Sequence, residues 1–169
     1  HFSGTVLKEL EDKGIASAHL TLHVGAGTFL PVKSERMSGH AMHAEQVRIP
    51  LGALESVVHH LGKGPIIPVG TTAMRTLESI YWHGVMLLQG RAKEELSVDQ
   101  WEPYGHERGS LPAPIEALHA VIEQVQGSAA RTTGQEDAAL LGNTRLLIAP
   151  GYTFRLVDGV VTNFHQPRS

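Results

Sequence analysis

The 169-residue chain contains no cysteine. Disulfides, thiolate metal sites and a cysteine nucleophile are therefore excluded. Long apolar runs are also missing. The longest, Pro65 to Val69 and Leu146 to Pro150, fall far short of the roughly 20 residues that span a bilayer. No charged-then-apolar leader opens the chain. Charge is scarce as well. Charged residues make up 18% and the formal net charge is −3, so no global field favours nucleic acid, and RNA contact has to rest on local patches. Lys33, Arg36, Arg75 and Arg168 are the candidates for such a patch. What the chain does have is a 41% apolar fraction, which supports a folded core rather than disorder, at a length that suits one domain. It also carries 11 histidines, either surface decoration or imidazoles placed for proton transfer or ligand binding.

The periodicity predicts a first short helix capped by Ser3, with Val6, Leu7 and Leu10 as its stripe and Gly14 as its end. Leu20, Leu22 and Val24 alternate with polar residues, as in a half-buried strand, and residues 31–46 read as a long loop. A short strand is expected over Gln46 to Ile49. Pro50 opens a second helix with Leu51, Leu54, Val57, Val58 and Leu61 inside, and Pro65 to Val69 reads as a buried strand. A third helix follows Gly70, and a fourth runs over 115–126 and closes at Gly127. Between them, 90–114 reads as an irregular insertion anchored by Trp101 and Tyr104, and 128–138 reads as mobile. The end is expected to be β-rich: Thr144 to Ala149, then a hairpin of Tyr152 to Val157 and Val160 to Phe164 turned by Asp158-Gly159. The resulting class is α/β with a mixed β-sheet flanked by helices.

Four constellations carry chemistry. In His23-Val24-Gly25-Ala26-Gly27-Thr28-Phe29, a histidine and two glycines stand at the carboxyl end of a strand, where α/β sheets bind ligands. An ordinary glycine turn uses the same residues. In His40-Ala41-Met42-His43-Ala44-Glu45, two imidazoles and a carboxylate suit a metal, a base with its orienting partner, or simply a polar loop. No further ligand is supplied locally. In Val69-Gly70-Thr71-Thr72, a strand end runs into a helix whose free N–H groups favour an anion, with Arg75 one turn on. Equally, Thr71 or Thr72 is a plain N-cap, and Arg75 forms a surface pair with Glu78 or Ser79. Finally, Pro150-Gly151-Tyr152 is followed by Val161-Thr162-Asn163-Phe164-His165-Gln166-Pro167, in which Asn163 and His165 share a strand face and Asn163 suits a nucleobase or ribose.

Taken in this order and wording, these segments resemble the S-adenosylmethionine:tRNA ribosyltransferase-isomerases, the QueA family of queuosine biosynthesis. The likeness runs nearly end to end and is weakest over about 83–140. It implies transfer and isomerisation of the ribosyl part of S-adenosylmethionine onto 7-aminomethyl-7-deazaguanine at the tRNA wobble position. Epoxyqueuosine forms, and adenine and methionine leave. It further implies a cytoplasmic, metal-free enzyme with no cofactor beyond S-adenosylmethionine as cosubstrate, no membrane partner, and a barrel-like core in the large domain. Family members are longer, so residues 1–169 are expected to be a single catalytic-domain portion of a longer chain, without the family's inserted β-rich domain. On this basis His43, Glu45, His23 and His165 are the expected catalytic residues. Gly25, Gly27, Thr28, Thr71, Thr72, Arg75, Tyr152 and Asn163 are the expected substrate contacts. Two alternatives are a non-catalytic tRNA- or nucleotide-binding piece and a metal-dependent hydrolase built on His40, His43 and Glu45.

Overall fold

A computed structural model describes residues 2–23, 41–106, 109–132 and 138–163. Its elements are α1 (Gly4–Asp12), β1 (Thr21–His23), β2 (Glu45–Pro50), α2 (Leu51–His60), α3 (Thr71–Leu88), β3 (Leu96–Val98), α4 (Pro114–Thr132) and β4 (Ala139–Thr144). A 3-10 turn spans Glu102–Tyr104. The four strands form one sheet in the order β1-β2-β4-β3; β3 pairs parallel to β4 and the other pairs are antiparallel. The class is therefore α/β with a mixed sheet. Among the described residues that sheet is open, not closed into a barrel.

Side chains alternate across it. Along β2, Glu45, Val47 and Ile49 are buried while Gln46 is exposed. The register sets Thr144 of β4 opposite Glu45 and beside Val98 of β3. The inward face, with Val47, Ile49, Leu96, Val98 and Leu140, packs on α3 and α4. Gly142 lets β3 approach, since a Cβ there would lie 2.0 Å from the Leu96 carbonyl oxygen.

The helices follow local signals with some exceptions. Ser3 Oγ accepts the Val6 amide at 3.3 Å, and Gly14 lies beyond the end of α1 at φ 70°. The stripe of α1 is not covered, however: Leu7 is 47% exposed. Pro50 caps α2, which buries Leu54. Helix α3 starts from Gly70 at φ 100° with no side-chain cap, so neither Thr71 nor Thr72 serves as the N-cap. Arg75 to Val85 are all buried, the pattern of a helix enclosed on every side. Helix α4 crosses it closely: a Cβ on Gly84 would sit 2.2 Å from the Ala117 carbonyl oxygen. Helix α4 also continues through Gly127 to Thr132, because α3 and the sheet supply packing that outweighs the cost of one glycine.

Several expected strands do not form among the described residues. Residues 65–69 are extended but form only a bridge between Val69 and Val161, with Ile67 and Val69 half exposed. Pro65 and Pro68 lack the N–H groups a ladder needs. The stretch 90–114, expected to be irregular throughout, contains β3. Thr144 ends β4 instead of starting a strand, and 152–163 does not fold back as a hairpin. Asp158 instead accepts the Ile66 amide at 2.9 Å through Oδ2, and the Val161 amide donates to Pro68 O at 3.0 Å.

A buried carboxylate explains the path of that segment. Glu78 accepts the amides of Arg155, Leu156 and Val157 at 3.0, 2.9 and 3.0 Å, and the Tyr152 hydroxyl at 2.6 Å. Trp82 Nε1 also donates to Tyr152 Oη at 2.8 Å. Backbone groups that a hairpin would have paired are held by one side chain of α3. Burial, then the Glu78 charge, pushes the Tyr152 phenol far above its usual range, so it stays protonated. Replacing Glu78→Ala leaves these donors without an acceptor and should cost at least about 3 kcal/mol in chemical denaturation. Hydrogen exchange at residues 155–157 should accelerate; unchanged protection there would contradict this role.

His83 is also fully buried in α3. Gln124 of α4 donates through Nε2 to the carbonyls of Lys93 and Glu94, both at 3.1 Å, which turns its Oε1 to His83 Nε2 at 2.8 Å. His83 Nε2 therefore carries the proton, and Nδ1 has no partner among the described residues. Burial holds the imidazole below its ordinary value, against the hydrogen bond it donates to Gln124. The unfolded state takes up this proton first as pH falls. The stability contribution of neutral His83 is thus complete above about pH 6.5 and declines below it. A His83→Gln variant should show a shallower loss of Tm than wild type between neutral pH and about pH 5; parallel curves would exclude His83 as a source of the slope.

Candidate active site

The alternation of β2 turns Glu45 inward at the end of the strand, where it is 1% exposed. Two cationic or ionisable groups meet it there. His43, two residues earlier and partly exposed, brings Nε2 to Glu45 Oε1 at 3.1 Å. Arg75, on the buried face of α3, pairs through Nη2 with Oε2. Arg75 Nη1 also donates to Met42 Sδ at 2.9 Å, and its buried Nε has no hydrogen-bond partner among the described residues. One turn along α3, Ser79 Oγ donates to Arg75 O at 2.7 Å. That donation uses the only Ser79 hydroxyl proton. Thr144 Oγ1, 2.6 Å away, must then donate to Ser79, and it accepts the Leu146 amide at 3.1 Å. The cluster thus joins β2, α3 and β4.

The arrangement suits proton transfer. A buried carboxylate paired with a guanidinium orients an imidazole that reaches solvent. With Nε2 donating to the Glu45 carboxylate, His43 Nδ1 is left as an acceptor, the form a general base needs. Arg75 does bind an anion, and that anion is the Glu45 carboxylate. The alternative of a plain surface pair of Arg75 with Glu78 or Ser79 does not hold, since all three are buried and Glu78 faces residues 152–157.

Other expected site residues are spread more widely. His23 is exposed on β1, paired in register with Gln46, on the opposite face of the sheet from Glu45. Thr71 is exposed and Thr72 half-buried in the first turn of α3. The Tyr152 hydroxyl is committed to Glu78 and Trp82, and Asn163 is exposed. Gly25, Gly27, Thr28, His40 and His165 lie outside the described residues. Among the described residues no three His, Asp or Glu side chains converge on a metal site, and no helix is long and apolar enough to cross a membrane.

Sequence reasoning missed a groove beside the cluster. It has a volume of about 770 Å³ and is lined by Met42, Arg91, Asp99, Trp101, His106 and Arg145, among others. Met42 joins groove to cluster: its amide donates to Gln100 Oε1 at 2.8 Å while its sulfur meets Arg75. Glu102 is bound by Arg91 and by His106 Nε2 at 2.9 Å. Burial alone would raise the Glu102 carboxyl, but these bonds outweigh it and hold the group below its usual range. The half-exposed Trp101 was the available signal for this groove, since a large aromatic in a polar loop marks a contact surface.

Comparison with known proteins places the geometry in a family. The family described as "Queuosine biosynthesis protein" matches residues 1–169. The S-adenosylmethionine:tRNA ribosyltransferase-isomerase of Methylobacterium radiotolerans is 36% identical over 170 residues, covering 100% of this chain and 34% of the relative. That of Ruegeria pomeroyi is 35% identical, with the same 100% and 34% coverage. The crystal structure of S-adenosylmethionine tRNA ribosyltransferase from Thermotoga maritima aligns with a TM-score of 0.51 at 25% identity, covering 99% of this chain and 36% of that one. The chain spans about a third of the length of the relatives it matches. With a family match over every residue, the chain belongs to the queuosine biosynthesis protein family.

Proposed function

We propose that this chain carries the acid–base centre of an S-adenosylmethionine:tRNA ribosyltransferase-isomerase acting in the cytoplasm. In this reading the ribosyl part of S-adenosylmethionine moves to the aminomethyl group of 7-aminomethyl-7-deazaguanine at the tRNA wobble position and rearranges to the epoxycyclopentanediol. Adenine and methionine leave. The observation that carries the reading is the His43–Glu45 contact, anchored by Arg75, in a chain of this family. Departure of adenine and attack by an amine both require proton movement near neutral pH, which an oriented imidazole provides. His43 transfers the proton, Glu45 orients it, and Arg75 anchors Glu45. His23 and His165 are second proton-transfer or hydrogen-bonding groups. Thr71 and Thr72 hold an anion, the methionine carboxylate or a tRNA phosphate. Gly25, Gly27 and Thr28 let the cosubstrate approach the backbone, and Asn163 meets a base or sugar. Tyr152 acts through its ring, since its hydroxyl is already bonded. The donor set disfavours a metal hydrolase, because the Glu45 charge is met by a guanidinium.

The test combines the purified protein, S-adenosylmethionine and tRNA bearing the aminomethyl base. Adenine is read by chromatography and the nucleoside by mass spectrometry. Adenine release with the epoxyqueuosine mass is the expected result, and His43→Ala should slow it by roughly 10²-fold or more. Wild-type turnover in that variant would remove His43 from the mechanism. RNA binding without adenine release would favour a non-catalytic binding role.

A further inference from the structure

The groove beside the cluster holds an unusual set of side chains. Arg91, Glu102 and His106 satisfy one another. Asp99 and Arg145, by contrast, are exposed and form no ion pair with a described residue, although they are neighbours. Parallel pairing of β3 with β4 ends at Val98 and Thr144, and the Arg145 amide donates to Val98 O at 3.0 Å. The two chains continue side by side, with the Leu147 amide donating to Gln100 O at 3.1 Å. One carboxylate and one guanidinium thus stand together at the end of the sheet. Two residues past Asp99, Trp101 is 42% exposed and lines the same groove. It contacts Tyr104, whose hydroxyl is pinned between Leu147 O at 3.0 Å and the Ala149 amide at 2.8 Å. The aromatic wall is therefore rigid where it meets the groove.

An exposed indole beside an acceptor and a donor that form no ion pair with a described residue matches the flat face and polar edge of a nucleobase. The pattern is selective. A carboxylate accepts two hydrogen bonds from N1–H and the 2-amino group of a guanine-type base, and a guanidinium donates to O6. Adenine offers neither the N1–H nor the oxygen. We propose that this groove holds one guanine-type base of the RNA substrate, unstacked from its neighbours, with Trp101 stacking on it and Asp99 and Arg145 reading its edge. The proposal rests on the tRNA-modifying reading above and adds to it the residues that select the base. Through Met42, the groove abuts His43 and Glu45, so a base held there lies next to the acid–base centre.

The experiment titrates the purified protein with RNA stem-loops that differ in one unpaired loop base: guanine, hypoxanthine or adenine. Trp101 fluorescence reports stacking, because the other tryptophan, Trp82, is 1% exposed. Guanine should bind tightest, hypoxanthine, which lacks the 2-amino group, less well, and adenine weakest, with roughly ten-fold between the extremes. Trp101→Ala should weaken guanine binding roughly ten-fold, and Trp101→Phe should restore most of it. Asp99→Asn should reduce the preference for guanine over adenine, and Asp99→Asn with Arg145→Ala should abolish it. Base-independent affinity, absence of RNA binding, or equal quenching by S-adenosylmethionine alone would each overturn the proposal. The two readings fail separately. Turnover with no dependence on Trp101 or Asp99 leaves the reaction standing and sinks the base site. Guanine-selective binding without turnover does the reverse.

Discussion

The buried carboxylate of Glu45 is the constraint around which the site is organised. A carboxylate at 1% exposure is tolerated only if its polar atoms find partners. Arg75 matches it from α3, and His43 closes it from the segment before β2. Removing one partner of such a pair typically costs about 3–5 kcal/mol, because the other charge stays buried. Arg75, Glu45 and His43 are therefore one electrostatic unit, and its strength obliges β2 and α3 to meet at this place. Ser79 and Thr144 extend the same unit into β4.

Helix α3 serves as the scaffold because it is enclosed along Arg75 to Val85. It carries a second buried carboxylate, Glu78, which faces away from the cluster and gathers the amides of 155–157. One helix thus directs two acidic side chains to opposite duties. Glu45 is supplied to it by the sheet and joins His43 and Arg75, while Glu78 belongs to it and shapes the returning chain. The Gly84–Ala117 contact brings α4 in close behind.

Much of the element order was legible in residues. The Ser3 cap, the proline before α2, the stripe Leu51-Leu54-Val57-Val58-Leu61 and the glycine before α3 are local signals, and local forces settle them. The pairing of His43 with Glu45 was legible for the same reason, since two residues apart on extended chain lie within reach. The hairpin at Asp158-Gly159 was not formed because its donors found a stronger acceptor in Glu78, about eighty positions earlier in the chain. Arg75 and Glu78 looked like a surface pair because helix spacing reports proximity and not burial. The bulky, uncharged stretch Ile80 to Val85 that follows them was the clue that this helix is enclosed.

By itself, the sequence determined the class of fold, the family and the chemical types at the centre, because composition, periodicity and ordered motifs are properties of the chain read along its length. Tertiary structure decided that Arg75 neutralises Glu45, that Glu78 organises the final segment, and that Asp99, Trp101 and Arg145 line one groove. These contacts join residues dozens of positions apart. They depend on which face of each strand and helix is buried, and that is set by the packing of all the elements together.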